Sequence, residues 1–477
     1  MKNAMNGNGL SREIGLFSAT ILVIANMVGT GIFTTSGFIM AELGSPSALL
    51  MCWAAGGVFA LCGALCYGEL GARFPRAGGE YVFLTECFGR PVGFLSGWIS
   101  LVVGFSAPIA AASMAFAGYG FQVFAIPTGS NALVKTGMMT LTPMSLVAIA
   151  VIILISLVHY HSLRIGSRVQ NALTIFKIAL VLVFIVAGFL LGKGSFAHFH
   201  LTSASEPLSA EKFAISLIFI SFAYSGWNAA AYLGSEIVNP QRNIPLALFW
   251  GTAAVALVYL LLNGVYIYAL EPKAMTNVLE IGATSAVAMF GKPMSRLFSV
   301  AVALGLLSVL SAMIMTGPRI YYAMSKDGVF FNAFGKLNPE RKTPASSIFL
   351  QAAIAIVMVI SASFETLLIY IGFTLSLFAM LTVLGLMRLR FTSPTTTAAY
   401  KTFGYPITPL VFILGNLWII VFSIKSRPVA ALFGLGTIAI GAVVYYLFAR
   451  KDNGSVISEC STLSIDCQLA SESEAVK

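Results

Sequence analysis

The sequence predicts an all-α polytopic membrane protein with about twelve spanning helices, two of them broken at mid-membrane. Three observations carry this. Of the 477 residues, 58% are hydrophobic and only 10% charged, where a soluble protein carries about 25% charged residues. Apolar runs of the roughly 20 residues that a spanning helix needs recur from residue 14 to residue 449. Two of these runs hold glycine and polar residues at their middles, where they weaken a helix.

The apolar runs place spans at 14–41, 47–72, 91–120, 143–160, 168–192, 212–237, 245–270, 284–324, 345–362, 366–390, 405–424 and 429–449. The eighth is too long for a simple crossing and is expected to tilt or to run on into the cytoplasm. The whole divides into an N-terminal segment 1–13, one membrane domain 14–450 and a tail 451–477. That tail is rich in Ser, Glu and Asp and is expected to be disordered. No cleaved signal peptide is expected, since 1–10 is polar and the first apolar run is too long for one.

Basic residues of short loops set the orientation. With the N-terminus inside, Arg12, Arg73, Arg76, Arg90, Arg242, Arg388 and Arg390 fall on the cytoplasmic side, and Lys193, Lys273, Lys292 and Lys425 outside. The overall bias is roughly two to one and puts both termini in the cytoplasm. The net charge of +10 is then a membrane signature and not a nucleic-acid one. The loop 74–91, with Gly78-Gly79 ahead of an aromatic run, reads as a short amphipathic segment on the cytoplasmic face. His198 and His200 fall in a polar outside loop without an acidic or cysteine partner. The cysteines, Cys52, Cys62, Cys66, Cys87, Cys460 and Cys467, show no metal-ligand spacing, so neither a metal site nor a disulfide framework is expected. Nothing resembles a catalytic constellation, and no cofactor is implied.

The first broken run holds Asn26, Met27, Val28, Gly29, Thr30 and Gly31 at mid-span. Each glycine costs a helix about 1 kcal/mol relative to alanine, and a bilayer tolerates broken backbone only where protein or a polar cavity satisfies it. If the helix unwinds there, the half that restarts near Thr30 offers N–H groups and the positive end of a dipole to a carboxylate. Carbonyls near Met27 are left to accept from an ammonium group. The alternative is a glycine contact that lets two helices touch, and spacing alone does not choose between them. The second break, Phe222-Ala223-Tyr224-Ser225-Gly226-Trp227-Asn228, favours the first reading, because paired interrupted helices mark transporter binding sites. Phe222 would then cap a ligand while carbonyls around Phe222 and Ser225 accept from its amine. The candidate binding residues are thus Asn26, Met27, Gly29, Thr30 and Gly31 with Phe222, Ala223, Ser225, Gly226 and Trp227.

Lys177 lies within the fifth span. An intramembrane lysine costs about 2.5–3.5 kcal/mol on insertion scales and is a functional hypothesis by default. Snorkelling toward the inner end is the structural alternative. The functional reading has the ammonium touching carbonyls near the first break, in the place of a coupling cation.

With these residues in view, the chain resembles the amino acid–polyamine–organocation transporter superfamily, and within it the L-type amino acid transporter branch. Gly29-Thr30-Gly31-Ile32-Phe33 matches the glycine motif of the first helix. Phe222 to Asn228, with Glu236, Asn239-Pro240, Arg242-Asn243 and Pro245, matches the sixth. Gln170-Asn171 with Lys177 is similar to the fifth, and Arg319-Ile320-Tyr321-Tyr322 with Asp327-Gly328 to the end of the eighth. The resemblance implies a LeuT-like fold of two inverted five-helix repeats, about 14–192 and 212–390, plus two extra helices at 405–450, working by alternating access. By the same resemblance Thr30 and Gly31 bind the α-carboxylate, Met27, Phe222 and Ser225 the α-amine, Phe222 is the gate, and Lys177 replaces sodium. Heavy-chain-paired members of the branch carry a cysteine between the third and fourth helices. This chain has none in 119–143, so no disulfide-linked heavy chain is expected; a monomer or homo-oligomer is. The expected function is sodium-independent transport of a neutral α-amino acid across the plasma (inner) membrane, by exchange or proton linkage. An amine or polyamine antiporter and a non-transporting channel or sensor are the alternatives.

Overall fold

The computed structural model describes residues 12–76, 78–124, 126, 133–136, 139–161, 163–201, 209–336, 343–392 and 400–449. The tail, for which disorder is expected, lies outside the described residues together with Cys460 and Cys467.

The chain begins with α1 (Leu16–Met27) and α2 (Thr30–Leu43), bent by 43° to one another. Gly29 is extended (φ −129°, ψ −155°) and stands as the N-cap of α2. Gly44, at the left-handed φ of 60°, ends α2. Pro46 and the Ser45 hydroxyl start α3 (Pro46–Arg73), which crosses back. The face on which α3 ends is the near face, and the face of Gly44 the far one.

α4 (Glu80–Phe88) sits on the near side. It is not the surface segment that the sequence reading expects. Tyr81, Val82, Phe83 and Leu84 are all buried, because apolar side chains right round one helical turn leave no polar side to show to water. The next crossing is α5 (Arg90–Ile99), a π-helical stretch Ser100–Ser106 and α6 (Ala107–Val123). A two-stranded antiparallel ribbon, β1 (Val134–Thr136) with β2 (Met139–Leu141), pairs Lys135 with Thr140 and departs from the all-α expectation only within a loop. α7 (Pro143–His161) and α8 (Leu163–Leu191) close the first half.

The second half opens with α9 (Ala210–Ala223), a turn over 224–228 and α10 (Ala229–Tyr232). It continues through α11 (Pro240–Ala269), α12 (Pro272–Met275), α13 (Ile281–Phe290), α14 (Lys292–Lys326), α15 (Ala345–Ser361) and α16 (Phe364–Thr392). The expectation of one long element over 284–324 is corrected here: Gly291, at φ 85°, separates α13 from α14. α17 (Ile407–Ser426) and α18 (Pro428–Val444) follow.

Among the described residues nine helices are long and apolar enough to cross a membrane, ten with the bent α1–α2 pair. Large apolar side chains such as Leu154, Val183, Trp250 and Leu432 face outward. In water such a surface would aggregate; for a multi-pass membrane protein it is the lipid-facing girdle. α3 packs on α11, α6 on α14 and α7 on α15, so these three helices each meet the one holding the same place in the other half.

A buried carboxylate fastens the near end. Glu69 on α3 accepts from Arg390 Nε at 3.0 Å and from the Thr402 N–H and hydroxyl, each at 2.8 Å, with Arg73 at 3.1 Å. It thereby joins α3 to α16 and to the entry of α17. Removing one member of a buried pair leaves the other charge uncompensated. Glu69→Gln is accordingly expected to destabilise the protein by about 3–5 kcal/mol, read as a lower melting temperature in detergent. A melting temperature unchanged in both Glu69→Gln and Arg390→Ala would contradict the fastening role.

Candidate binding site between two broken helices

The two breaks touch. A Cβ on Gly226 would lie 2.8 Å from the Asn26 carbonyl oxygen, and one on Gly31 only 2.3 Å from Ala223 Cα. Gly226 also holds φ 95°, which side-chain-bearing residues rarely adopt. The glycines therefore serve both alternatives at once: the first helix does break at Gly29, and Gly31 is a close backbone contact.

The broken ends expose peptide groups. Among the described residues the N–H groups of Thr30, Gly31 and Ile32, at the start of α2, have no backbone acceptor. Thr30 is nonetheless only 3% exposed. Buried, unpaired N–H groups are rare and call for a partner. At the C-terminal ends of α1 and α9 the Met27 and Ala223 carbonyls both accept from the Tyr259 hydroxyl, at 2.5 and 3.2 Å. One tyrosine of α11 thus ties the two breaks together, and the Met27 carbonyl is occupied in this arrangement.

A cavity of about 200 Å³ lies beside the breaks. Of the candidate residues, Asn26, Ser225, Gly226 and Trp227 line it. Met27, Gly29, Thr30, Gly31, Phe222 and Ala223 stand outside its lining, and Gly31 packs directly against Ala223. On the far side the bundle is shut: Phe38 stacks on Phe219 and Phe364 at 5.7 and 6.2 Å, the Tyr119 hydroxyl donates to the Phe33 carbonyl, and the Asn277 N–H donates to the Gly37 carbonyl. Towards the near face the lining includes Glu80, Tyr232 and Arg319.

Lys177 does not snorkel. Its side chain is 1% exposed, its stem runs past Gly305, and Nζ donates to the Ala25 carbonyl at 2.9 Å. That carbonyl lies in the last turn of α1, just before the break.

Sequence reasoning misses two residues of this site. Tyr259 is one aromatic in an apolar span, and nothing local distinguishes it. Glu80 reads as part of a surface loop, yet it accepts from the Tyr67 hydroxyl at 2.7 Å and from Asn228 Nδ2 at 3.0 Å. Burial pushes its carboxyl above the ordinary range, and the two hydrogen bonds hold back part of the rise. The one available signal was its place directly after Gly78-Gly79, a turn able to send the helix inward.

Comparison with known proteins agrees with the geometry. A family model described as amino acid permease matches residues 14–449. The chain is 30% identical over 445 residues to the large neutral amino acids transporter small subunit 2 of Rattus norvegicus, covering 92% of this chain and 81% of that protein. It is 31% identical over 448 residues to the b(0,+)-type amino acid transporter 1 of Mus musculus, covering 92% and 88%. To the Asc-type amino acid transporter 1 of Mus musculus it is 30% identical over 446 residues, covering 92% and 81%. With broken first and sixth spans in contact and this match over nearly its whole length, the chain belongs to the amino acid permease family of the amino acid–polyamine–organocation superfamily.

Proposed function

We propose that the protein is a sodium-independent secondary transporter of neutral α-amino acids, working by alternating access as an exchanger or proton-linked permease. The observation that carries this is the contact of the two breaks at Asn26 and Gly226, beside three buried N–H groups without backbone acceptors. The substrate carboxylate goes to the N–H groups of Thr30, Gly31 and Ile32. Its ammonium goes to the carbonyls at the ends of α1 and α9, where it competes with the Tyr259 hydroxyl. Phe222 is the gating aromatic. Thr30, Gly31 and Phe222 do not line the cavity, so the two breaks rearrange around a substrate that reaches them, without losing the contact at Asn26 and Gly226. The Lys177 ammonium occupies the place of a coupling cation, which supports sodium independence. The setting is the plasma (inner) membrane with both termini cytoplasmic. No disulfide-linked heavy chain is expected, since 119–143 holds no cysteine.

Uptake of labelled alanine, serine or leucine into proteoliposomes is the test, with and without internal amino acid, in sodium and in choline buffer. Uptake independent of sodium is expected; a strict sodium requirement, or no uptake of any amino acid, refutes the proposal. One observation favours a second reading, an amine or polyamine antiporter: an acidic side chain, Glu80, in the lining of the cavity. It predicts polyamine inhibition that neutral amino acids do not relieve.

A further inference from the structure

We infer that Ser221, Ser376 and Asn416 form a polar subsite for the substrate side chain, taking an uncharged group that ends in a hydroxyl or carboxamide. The inference rests on the amino acid transport proposed above and names its substrate class. All three residues line the cavity. They come from α9, α16 and α17, which pack against one another. α9 and α16 come into backbone contact at Ile218 and Gly372, where a Cβ on Gly372 would meet the Ile218 carbonyl oxygen at 2.6 Å. Ser221 and Ser376 each follow about one turn later, toward the near face. On α17, Asn416 stands one turn from Phe412, whose ring packs edge-on to Trp227 at 6.0 Å. The subsite is therefore next to the second break.

The plain alternative is that these are ordinary polar residues of a helix bundle. Such residues commonly bond back to the carbonyl four residues earlier, and Thr374, Thr382 and Ser423 on the same helices do so. Ser221 and Ser376 do not, and among the described residues neither hydroxyl has a protein partner. Asn416 does bond back, Nδ2 donating to the Phe412 carbonyl at 2.8 Å, but among the described residues its Oδ1 has no protein partner. Asn416 is the one carboxamide on α17, and the back-bond uses only the donor end of it. Two hydroxyls can each donate and accept, and the amide oxygen accepts. The charged residues of the lining, Glu80 and Arg319, lie toward the near end. A neutral hydrogen-bonding side chain is matched by this set; a full charge has no counterion in it.

The test is competition against a labelled amino acid in proteoliposomes, using threonine against its near-isostere valine and asparagine against leucine. In the parent protein the polar member of each pair is expected to compete better. Asn416→Leu, and separately the pair Ser221→Ala with Ser376→Ala, are each expected to lower the threonine-to-valine affinity ratio about 10-fold. Should Asn416→Leu not fold, the serine pair, which removes only two hydroxyl oxygens, gives the same readout. A parent protein indifferent between threonine and valine, or a ratio unmoved in the variants, overturns the subsite and leaves the transport proposal standing. A parent protein that binds no amino acid brings both down.

Discussion

Lys177→Met is expected to abolish most amino acid uptake while expression and melting temperature stay close to those of the parent protein. The methionine keeps the apolar stem beside Gly305 and removes only the charged end, so packing and charge are separated. What is lost is a hydrogen bond from an ammonium to the Ala25 carbonyl, 2.9 Å away in the last turn of α1. Hydrogen bonds to charged groups contribute about 1.5–3 kcal/mol, so a loss of about 10- to 100-fold in uptake follows if that bond holds the first break in its working shape. Lys177→Ala also opens a void and is expected to do at least as much harm. Parent-like uptake by Lys177→Met, with an unchanged pH profile, would return Lys177 to a purely structural role.

An equally large effect is expected where the breaks meet. Gly226→Ala forces a side chain onto a residue at φ 95° and brings its Cβ within 2.8 Å of the Asn26 carbonyl oxygen. Gly31→Ala places a Cβ 2.3 Å from Ala223 Cα. Backbone stands in the way in both cases, so no side-chain rotation relieves the clash and the breaks must separate. Uptake is expected to fall by about 100-fold or more in each, corresponding to about 3 kcal/mol. Gly436→Ala, where a Cβ meets nothing within 4 Å, is the matched control and is expected to transport like the parent. Robust uptake by Gly226→Ala and Gly31→Ala would show that the glycines do not hold the breaks together.

The legibility of these features follows their physical range. Long apolar helices are written locally, and so are the candidate breaks, because Gly29, Gly31 and Gly226 stand beside polar residues at mid-span. The orphan N–H groups at Thr30 follow from the break alone, and an intramembrane lysine such as Lys177 is conspicuous by its cost. The division at Gly291 was hidden because a single glycine in a long apolar run is tolerated as often as it breaks the helix. The π-helical stretch Ser100–Ser106 has the composition of the α-helix on either side. Tyr259 and Glu80 each take a partner far along the chain, Met27 and Asn228, and the role proposed for Asn416 depends on a cavity bounded by several helices. No local pattern carries that.

The most direct measurement is an electron cryomicroscopy structure of the protein in a bilayer with a transported amino acid bound. The carboxylate is expected within hydrogen-bonding distance of the N–H groups that begin α2, and the ammonium against the carbonyls that end α1 and α9. An amino acid bound elsewhere, for example between Glu80 and Arg319 with both helix breaks untouched, would contradict the assignment of the site.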